Sequence, residues 1–180
     1  MPAKQHVAAN DWPREIHRVL RANAVRQVSY VPDAGHARLI ELCRADRGIA
    51  AVVLTTEEEG IGLAAGAWLG GERSALLMQS SGVGNCVNTM TLATHCGIPL
   101  LLLVTMRGEW GEFNPWQVPM GQSSQAALAL TGVRTFRLER PEETAATVEA
   151  AARLAYNANA VAAVLIAQRM IGAKTFEDGR

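Results

Sequence analysis

Short apolar runs of strand length, each followed by a stretch of helical periodicity, recur along this chain and constrain its fold more than any other feature. Ile49 to Leu54 and Pro99 to Thr105 are the clearest, unbroken and rich in Val, Ile and Leu. A strand with one wet face alternates apolar and polar residues, whereas a strand covered on both faces is apolar throughout. The expected strands are Val28 to Val31, Ile49 to Leu54, Ser74 to Met78, Pro99 to Thr105, Val133 to Leu138 and Val161 to Ala167. The spacing predicts helices from Trp12, around Leu39 to Cys43, and over Glu57 to Leu69, Gly84 to Cys96, Ser123 to Leu130 and Pro141 to Asn157. Strands that alternate with helices in this way predict an α/β fold, a three-layer α/β/α sandwich around a six-stranded, mainly parallel sheet. With 180 residues, 49% of them hydrophobic, the chain can bury such a core as one domain. That domain is expected over residues 1–170, with a polar C-terminal tail over 171–180.

Seventeen basic residues stand against seventeen acidic ones, so no cationic surplus exists to grip a nucleic-acid backbone. The longest strongly apolar run, Ile98 to Val104, is far shorter than the ~20 residues of a membrane helix. Met1 to Asn10 is polar and does not read as a signal peptide. Neither membrane nor nucleic acid is an expected partner, and the expected compartment is the cytoplasm. Cys43, Cys86 and Cys96 show no CxxC spacing and read as ordinary thiols of a reducing compartment. The four histidines, His6, His17, His36 and His95, show no metal-ligand spacing, so no metal site is expected on this chain.

Parallel sheets bind ligands outside the carboxyl ends of their strands. The stretches of interest are therefore Pro32-Asp33, Thr55 to Glu59, Gln79 to Asn85 and Met106 to Gly121. Thr56 and Glu59 have capping-box spacing, and acidic residues in a first helical turn suit the helix dipole. That reading explains Glu59 and Glu58 but does not need Glu57, which stands where the strand ends. Gln79-Ser80-Ser81-Gly82-Val83-Gly84-Asn85 reads as a Gly-rich strand-to-helix turn, either contacting an anionic ligand or only packing its helix close to the sheet. It lacks the third glycine of GxGxxG and the Gly-Lys-Ser/Thr of a P-loop. From Arg107 to Gly121 the chain reads as irregular, a length that is often functional. Arg107 has the chemistry to clasp an acidic substrate group, and Trp110, Phe113 and Trp116 have that of partner anchors. His36 is the one histidine expected near the ligand edge.

Taken in order, Val31-Pro32-Asp33, Glu57 with Leu63-Ala64-Ala65-Gly66, and Met78-Gln79-Ser80-Ser81-Gly82-Val83-Gly84-Asn85-Cys86-Val87-Asn88 carry a family resemblance. They resemble the pyrimidine-binding domain of thiamine-diphosphate-dependent 2-oxoacid decarboxylases, in the branch with sulfopyruvate and phosphonopyruvate decarboxylases. Leu101 to Glu109 and the Gln117-Val118-Pro119-Met120-Gly121 element are similar to that branch. The resemblance implies the thiamine-diphosphate-binding fold, with Glu57 hydrogen-bonding N1′ of the cofactor aminopyrimidine and so promoting loss of the proton from C2. Alignment of Gly66 favours Glu57, and a one-residue shift would give the role to Glu58. Pro32, Gln79, Ser81, Gly82 and Asn85 are the implied companions of Glu57 at the cofactor. Asp33 is expected near the reacting carboxylate, and His36, Arg107 and Gln117 near the acidic end of a small 2-oxoacid.

Family members also carry a second half with a Gly-Asp-Gly motif that holds Mg2+ and the diphosphate. The only Asp-Gly pair here is Asp178-Gly179, near the end of the sequence. The resemblance therefore implies an alpha-type subunit of a split enzyme, a hetero-oligomer whose beta subunit supplies Gly-Asp-Gly and the metal. The balanced charge suits a cofactor whose phosphates are held on another chain. Two alternatives stay open: a non-catalytic, flavodoxin-like nucleotide-binding or regulatory module using the Ser81 to Gly84 turn, and a degenerate partner kept only for assembly.

Overall fold

A computed structural model describes residues 11–172. The first ten residues, which include His6, lie outside the described part, as do residues 173–180 with Asp178-Gly179 and most of the expected tail. Six strands, β1 (Val25–Tyr30), β2 (Ala50–Val53), β3 (Arg73–Gln79), β4 (Leu100–Thr105), β5 (Arg134–Leu138) and β6 (Val161–Ile166), form one sheet in the order β2-β1-β3-β4-β6-β5. Every pairing is parallel. The expected three-layer architecture is the observed one.

The helices are α1 (Trp12–Ala22), α2 (Ala37–Ala45), α3 (Glu57–Leu69), α4 (Ser80–His95), α5 (Gln117–Leu130), α6 (Thr144–Ala158) and the short α7 (Gln168–Ile171). Alternate residues of the central strands point into two cores. One packs Leu77, Leu101, Leu103 and Val164 against α1, α2 and α6. The other packs Leu76, Met78, Leu102 and Leu165 against α3, α4 and α5. This division explains why β4 and β6 are apolar at every position: both of their faces are buried. Chain order runs outward from β1 in both directions, to β2 on one side and β3 on the other. The switch point therefore falls between the carboxyl ends of β1 and β3, where α/β sheets open a binding crevice.

Three local expectations change. Ile49 to Leu54 does not form a strand covered on both faces, because β2 is the sheet edge and Val53 is 62% exposed. The Gln79 to Asn85 segment is not a turn: α4 starts at Ser80, and neither Gly82 nor Gly84 has a positive φ. These glycines serve close packing, Gly82 against Glu57 and Gly84 against Met120. The irregular segment is shorter than expected, since α5 starts at Gln117. Its Pro119 falls in the first helical turn, where a missing N–H costs little. A Cβ at Gly121 would lie 1.8 Å from the Arg107 carbonyl oxygen, so only glycine lets α5 run beneath the loop.

Candidate active site

Glu57 opens α3 directly after β2, and its side chain turns inward although three glutamates share this helical turn. It is 6% exposed, whereas Glu58 and Glu59 face solvent. The capping box is not formed: Thr56 makes no side-chain cap, and Glu59 Oε2 instead accepts a hydrogen bond from the Thr55 backbone N–H at 2.9 Å. Asn85, one turn into α4, donates through Nδ2 to Glu57 Oε2 at 2.9 Å. Oε1 is turned toward Gly82, where an added Cβ would lie 2.5 Å from both Oε1 and Cδ of Glu57. A carboxylate is thus held between two helix N-termini, next to a residue without a side chain. The same burial, reinforced by Glu57 and Glu58, pushes the neighbouring Cys86 thiol up to about 12, so this buried cysteine stays protonated at neutral pH.

A second cluster collects at the ends of β1, β4 and β6. Asp33 Oδ2 accepts a hydrogen bond from Thr105 Oγ1 at 2.7 Å. Asp33, Gly35, Thr105, Arg107, Gln168, Ile171 and Gly172 line a cavity of about 20 Å³, room for roughly one water. Above it the 107–116 loop is locked. Arg107 donates to Glu112 through Nε at 2.8 Å and Nη2 at 2.6 Å, and its guanidinium lies 5.5 Å from the Phe113 ring centre. Glu112 also accepts from the backbone N–H groups of Gly108 and Asn114 and from Gln168 Nε2. Arg107, foremost, and these donors hold the Glu112 carboxyl down at about 2.

Three expected substrate residues are placed differently from the sequence reading. His36 is fully buried, its Nε2 facing the carbonyls of Leu103 at 3.0 Å and Met78 at 3.3 Å. Two carbonyl acceptors assign the proton to Nε2, and burial, opposed by the charge of Asp33, lowers the pKa and keeps the ring neutral. It braces β3 against β4 beneath the ligand edge. Gln117 is 4% exposed, with Oε1 buried and unpartnered among the described residues. Arg107 spends its fork on Glu112 and holds the loop. Pro32 and Asp33 border a groove of about 700 Å³ that continues over Ala37, Ile40 and Val53. Gln79 stands just before α4 without a side-chain capping bond, its Oε1 buried and unpartnered among the described residues, and Ser81 is half-buried beside Gly82.

Thr105, Glu112 and Gln168 are structural members of this edge that the sequence did not flag. Glu112 lies five residues after Arg107 and could have been read as its partner; Gln168 lies across the sheet and has no local signal. Among the described residues no group of three or more His, Cys, Asp or Glu side chains is arranged to hold a metal ion. No helix among them is long and apolar enough to cross a membrane.

With that geometry in view, residues 14–128 match the family described as "Thiamine pyrophosphate enzyme, N-terminal TPP binding domain". The chain belongs to this family. It is 33% identical over 152 residues to the sulfopyruvate decarboxylase subunit alpha of Methanococcus maripaludis, covering 84% of this chain and 91% of that protein. Identity to the same-named subunit of Methanothermobacter thermautotrophicus is 37% over 138 residues, covering 76% and 83%. The phosphonopyruvate decarboxylase of Streptomyces hygroscopicus is 37% identical over 89 residues, which take in 49% of this chain but 22% of that longer protein. A solved 2-oxoglutarate:ferredoxin oxidoreductase from Magnetococcus marinus shares the fold, with TM-score 0.70 at 12% identity. That match covers 94% of this chain and 34% of the other, so this chain spans about a third of its length. Membership of a thiamine pyrophosphate enzyme family, and likeness to the sulfopyruvate and phosphonopyruvate branch, agree with the resemblance drawn from the motifs. They argue against the nucleotide-binding alternative, whose glycine turn is helix here.

Proposed function

We propose that this chain is the pyrimidine-binding subunit of a split thiamine-diphosphate-dependent 2-oxoacid decarboxylase. The substrate we assign is sulfopyruvate, giving sulfoacetaldehyde, with phosphonopyruvate as the related alternative. The observation that carries the reading is the Glu57 carboxylate, buried at the sheet's ligand edge in a chain of this family. The residues fit an aminopyrimidine: Glu57 offers a fixed carboxyl oxygen, Asn85 orients it, and the missing side chain at Gly82 leaves its face clear. When bound, thiamine diphosphate supplies the electron sink for loss of the substrate carboxyl group. Glu57 holds a proton at the ring nitrogen, in a setting with little water to weaken the hydrogen bond. Gln79 and Ser81 border the same site. Thr105 fixes Asp33 for the reacting end of the substrate. Mg2+ and the diphosphate are assigned to a beta-type partner chain with a Gly-Asp-Gly motif, and the active unit to a hetero-oligomer. The relatives' designation as subunit alpha supports that division.

The test is carbon dioxide release from sulfopyruvate with thiamine diphosphate and Mg2+, measured for each chain alone and for the mixture. Activity confined to the mixture is expected. Robust turnover by this chain alone would overturn the split site, and an inert mixture the decarboxylase reading. Gly82→Ala separates function from stability at the same site. The new methyl displaces the Glu57 carboxylate, so turnover falls at least about tenfold. Alanine's helix preference, about 1 kcal/mol over glycine, offsets the rotamer cost to Glu57, and urea midpoints should stay within about 1 kcal/mol of the parent.

A further inference from the structure

The sheet has a second place where connections leave neighbouring strand ends for opposite layers. The first, between β1 and β3, is the crevice of the candidate active site. The second lies over the carboxyl end of β6. The 107–116 loop leaves β4 for α5 in one layer, whereas the segment after β5 leaves for α6 in the other. Because β6 stands between β4 and β5, the two connections part above its end and open a cleft there. The cleft measures about 430 Å³, and no residue assigned above to cofactor or substrate lines it.

Its walls follow from that topology. Glu109 and Trp110 come from the loop after β4, Arg137, Glu139 and Arg140 from the end of β5, and Arg169 from the residues after β6. Three arginines thus face two glutamates. Glu109 is matched by Arg137, whose Nη2 donates to Oε2 at 2.6 Å. Glu139 stands at the rim, 68% exposed and 3.6 Å from Arg137 Nε. Arg140 pairs with Glu142 and Glu143 on the adjoining turn, in exposed contacts that a better-placed anion can displace. Arg169 makes no ion pair among the described residues, and its guanidinium carbon lies 5.6 Å from the centre of the Trp110 ring. The indole face holds that guanidinium in place and leaves its charge and its N–H donors unspent.

We propose that this cleft binds a tetrahedral oxyanion, a phosphate or sulfonate group, through Arg169 and Arg140. Guanidinium forks match the oxygen edges of such groups, and a cleft wall on each side limits competition from water. The bound anion also reaches the active-site loop. Gln168, next to Arg169, accepts at Oε1 from the backbone N–H groups of Glu109 and Trp110, both at 2.9 Å. Its Nε2 donates to Glu112 at 2.9 Å, and the same side chain lines the small cavity at Asp33. An anion that fixes Arg169 against Trp110 therefore tightens the loop above Asp33.

The test is isothermal titration calorimetry of the full chain with sodium phosphate and, separately, with sodium methanesulfonate, at an ionic strength held constant with NaCl. A one-to-one complex with Kd of about 1 mM or tighter is expected for at least one of them. Tighter phosphate assigns the site to phosphate or its esters, and tighter methanesulfonate to a sulfonated acid. Arg169→Ala and Arg140→Ala lie at exposed positions and leave the fold intact. Each should weaken binding about tenfold or more, while Arg18→Ala on α1 stays within about twofold of the parent. Hydrogen exchange at the Glu109 and Trp110 amides should slow about tenfold when the anion saturates the site. No binding of either anion up to about 20 mM overturns the proposal. So does binding that survives both cleft variants, or that falls equally in Arg18→Ala. Binding with unchanged exchange at those two amides overturns the link through Gln168. None of these readouts uses turnover, so the site and the decarboxylase reading fail separately.

Discussion

Glu57→Gln in the assembled enzyme is expected to lower kcat by about 10²- to 10⁴-fold while leaving assembly and fold intact, the range for loss of a positioned proton-transfer group. Glutamine keeps the shape of the side chain and an oxygen that accepts the Asn85 hydrogen bond, so the α3–α4 contact survives. What disappears is the carboxyl function beside Gly82. The control is Glu58→Gln. Glu58 faces solvent at the same helix terminus, and its loss costs a dipole interaction of about 0.3–1 kcal/mol with little effect on turnover. Steady-state rates of the three proteins at saturating partner decide the matter. If Glu58→Gln is the damaging change, the register is off by one and the buried carboxylate is structural.

The second large effect is on stability and lies in the 107–116 loop. Glu112→Ala leaves Arg107, Gln168 and the N–H groups of Gly108 and Asn114 without their acceptor. The Glu112 side chain is 4% exposed and that of Arg107 14%, so breaking the pair uncovers a largely buried charge. The expected loss is about 3–5 kcal/mol in urea unfolding at neutral pH. The pH dependence has a definite sign. The folded carboxyl is held down at about 2, so its contribution is complete above the unfolded value of about 4.3. It is then lost as pH falls from there through about 2. The parent and Glu112→Ala should therefore converge in stability as pH approaches 2, with Trp110 and Trp116 reporting the loop by fluorescence. A difference below about 1 kcal/mol at pH 7, or one that does not shrink on acidification, would refute the locking role.

This network also revises the substrate reading. A guanidinium already committed to Glu112 is a poor clasp for a sulfonate, so Arg107→Ala should act through loop stability before it acts selectively on KM.

The layer architecture was legible because the central strands are apolar on both sides, a pattern that local sequence alone records. The edge strand β2 misled, since four residues rich in Val and Ala read the same whether the second face is covered or wet. Gly82 and Gly84 misled in the opposite sense. Glycine signals a turn by its backbone freedom, yet here it leaves the space that a neighbouring side chain takes. The sequence set Glu57 apart from its neighbours through the order of motifs at successive strand ends, and because capping covers Glu58 and Glu59 without needing it; its burial became visible only in the fold. His36 and Gln117 were expected at the ligand edge by position in the chain, and position does not say which side of the backbone a side chain takes.

The most direct test of the central assignment is the rate at which the C2 proton of bound thiamine diphosphate exchanges with deuterium in the reconstituted complex, followed by quenched-flow NMR. Glu57→Gln should slow that exchange about 100-fold or more while Glu58→Gln stays within about threefold of the parent. Exchange at the parental rate in Glu57→Gln would contradict the account, because the buried carboxylate would then have no part in activating the cofactor.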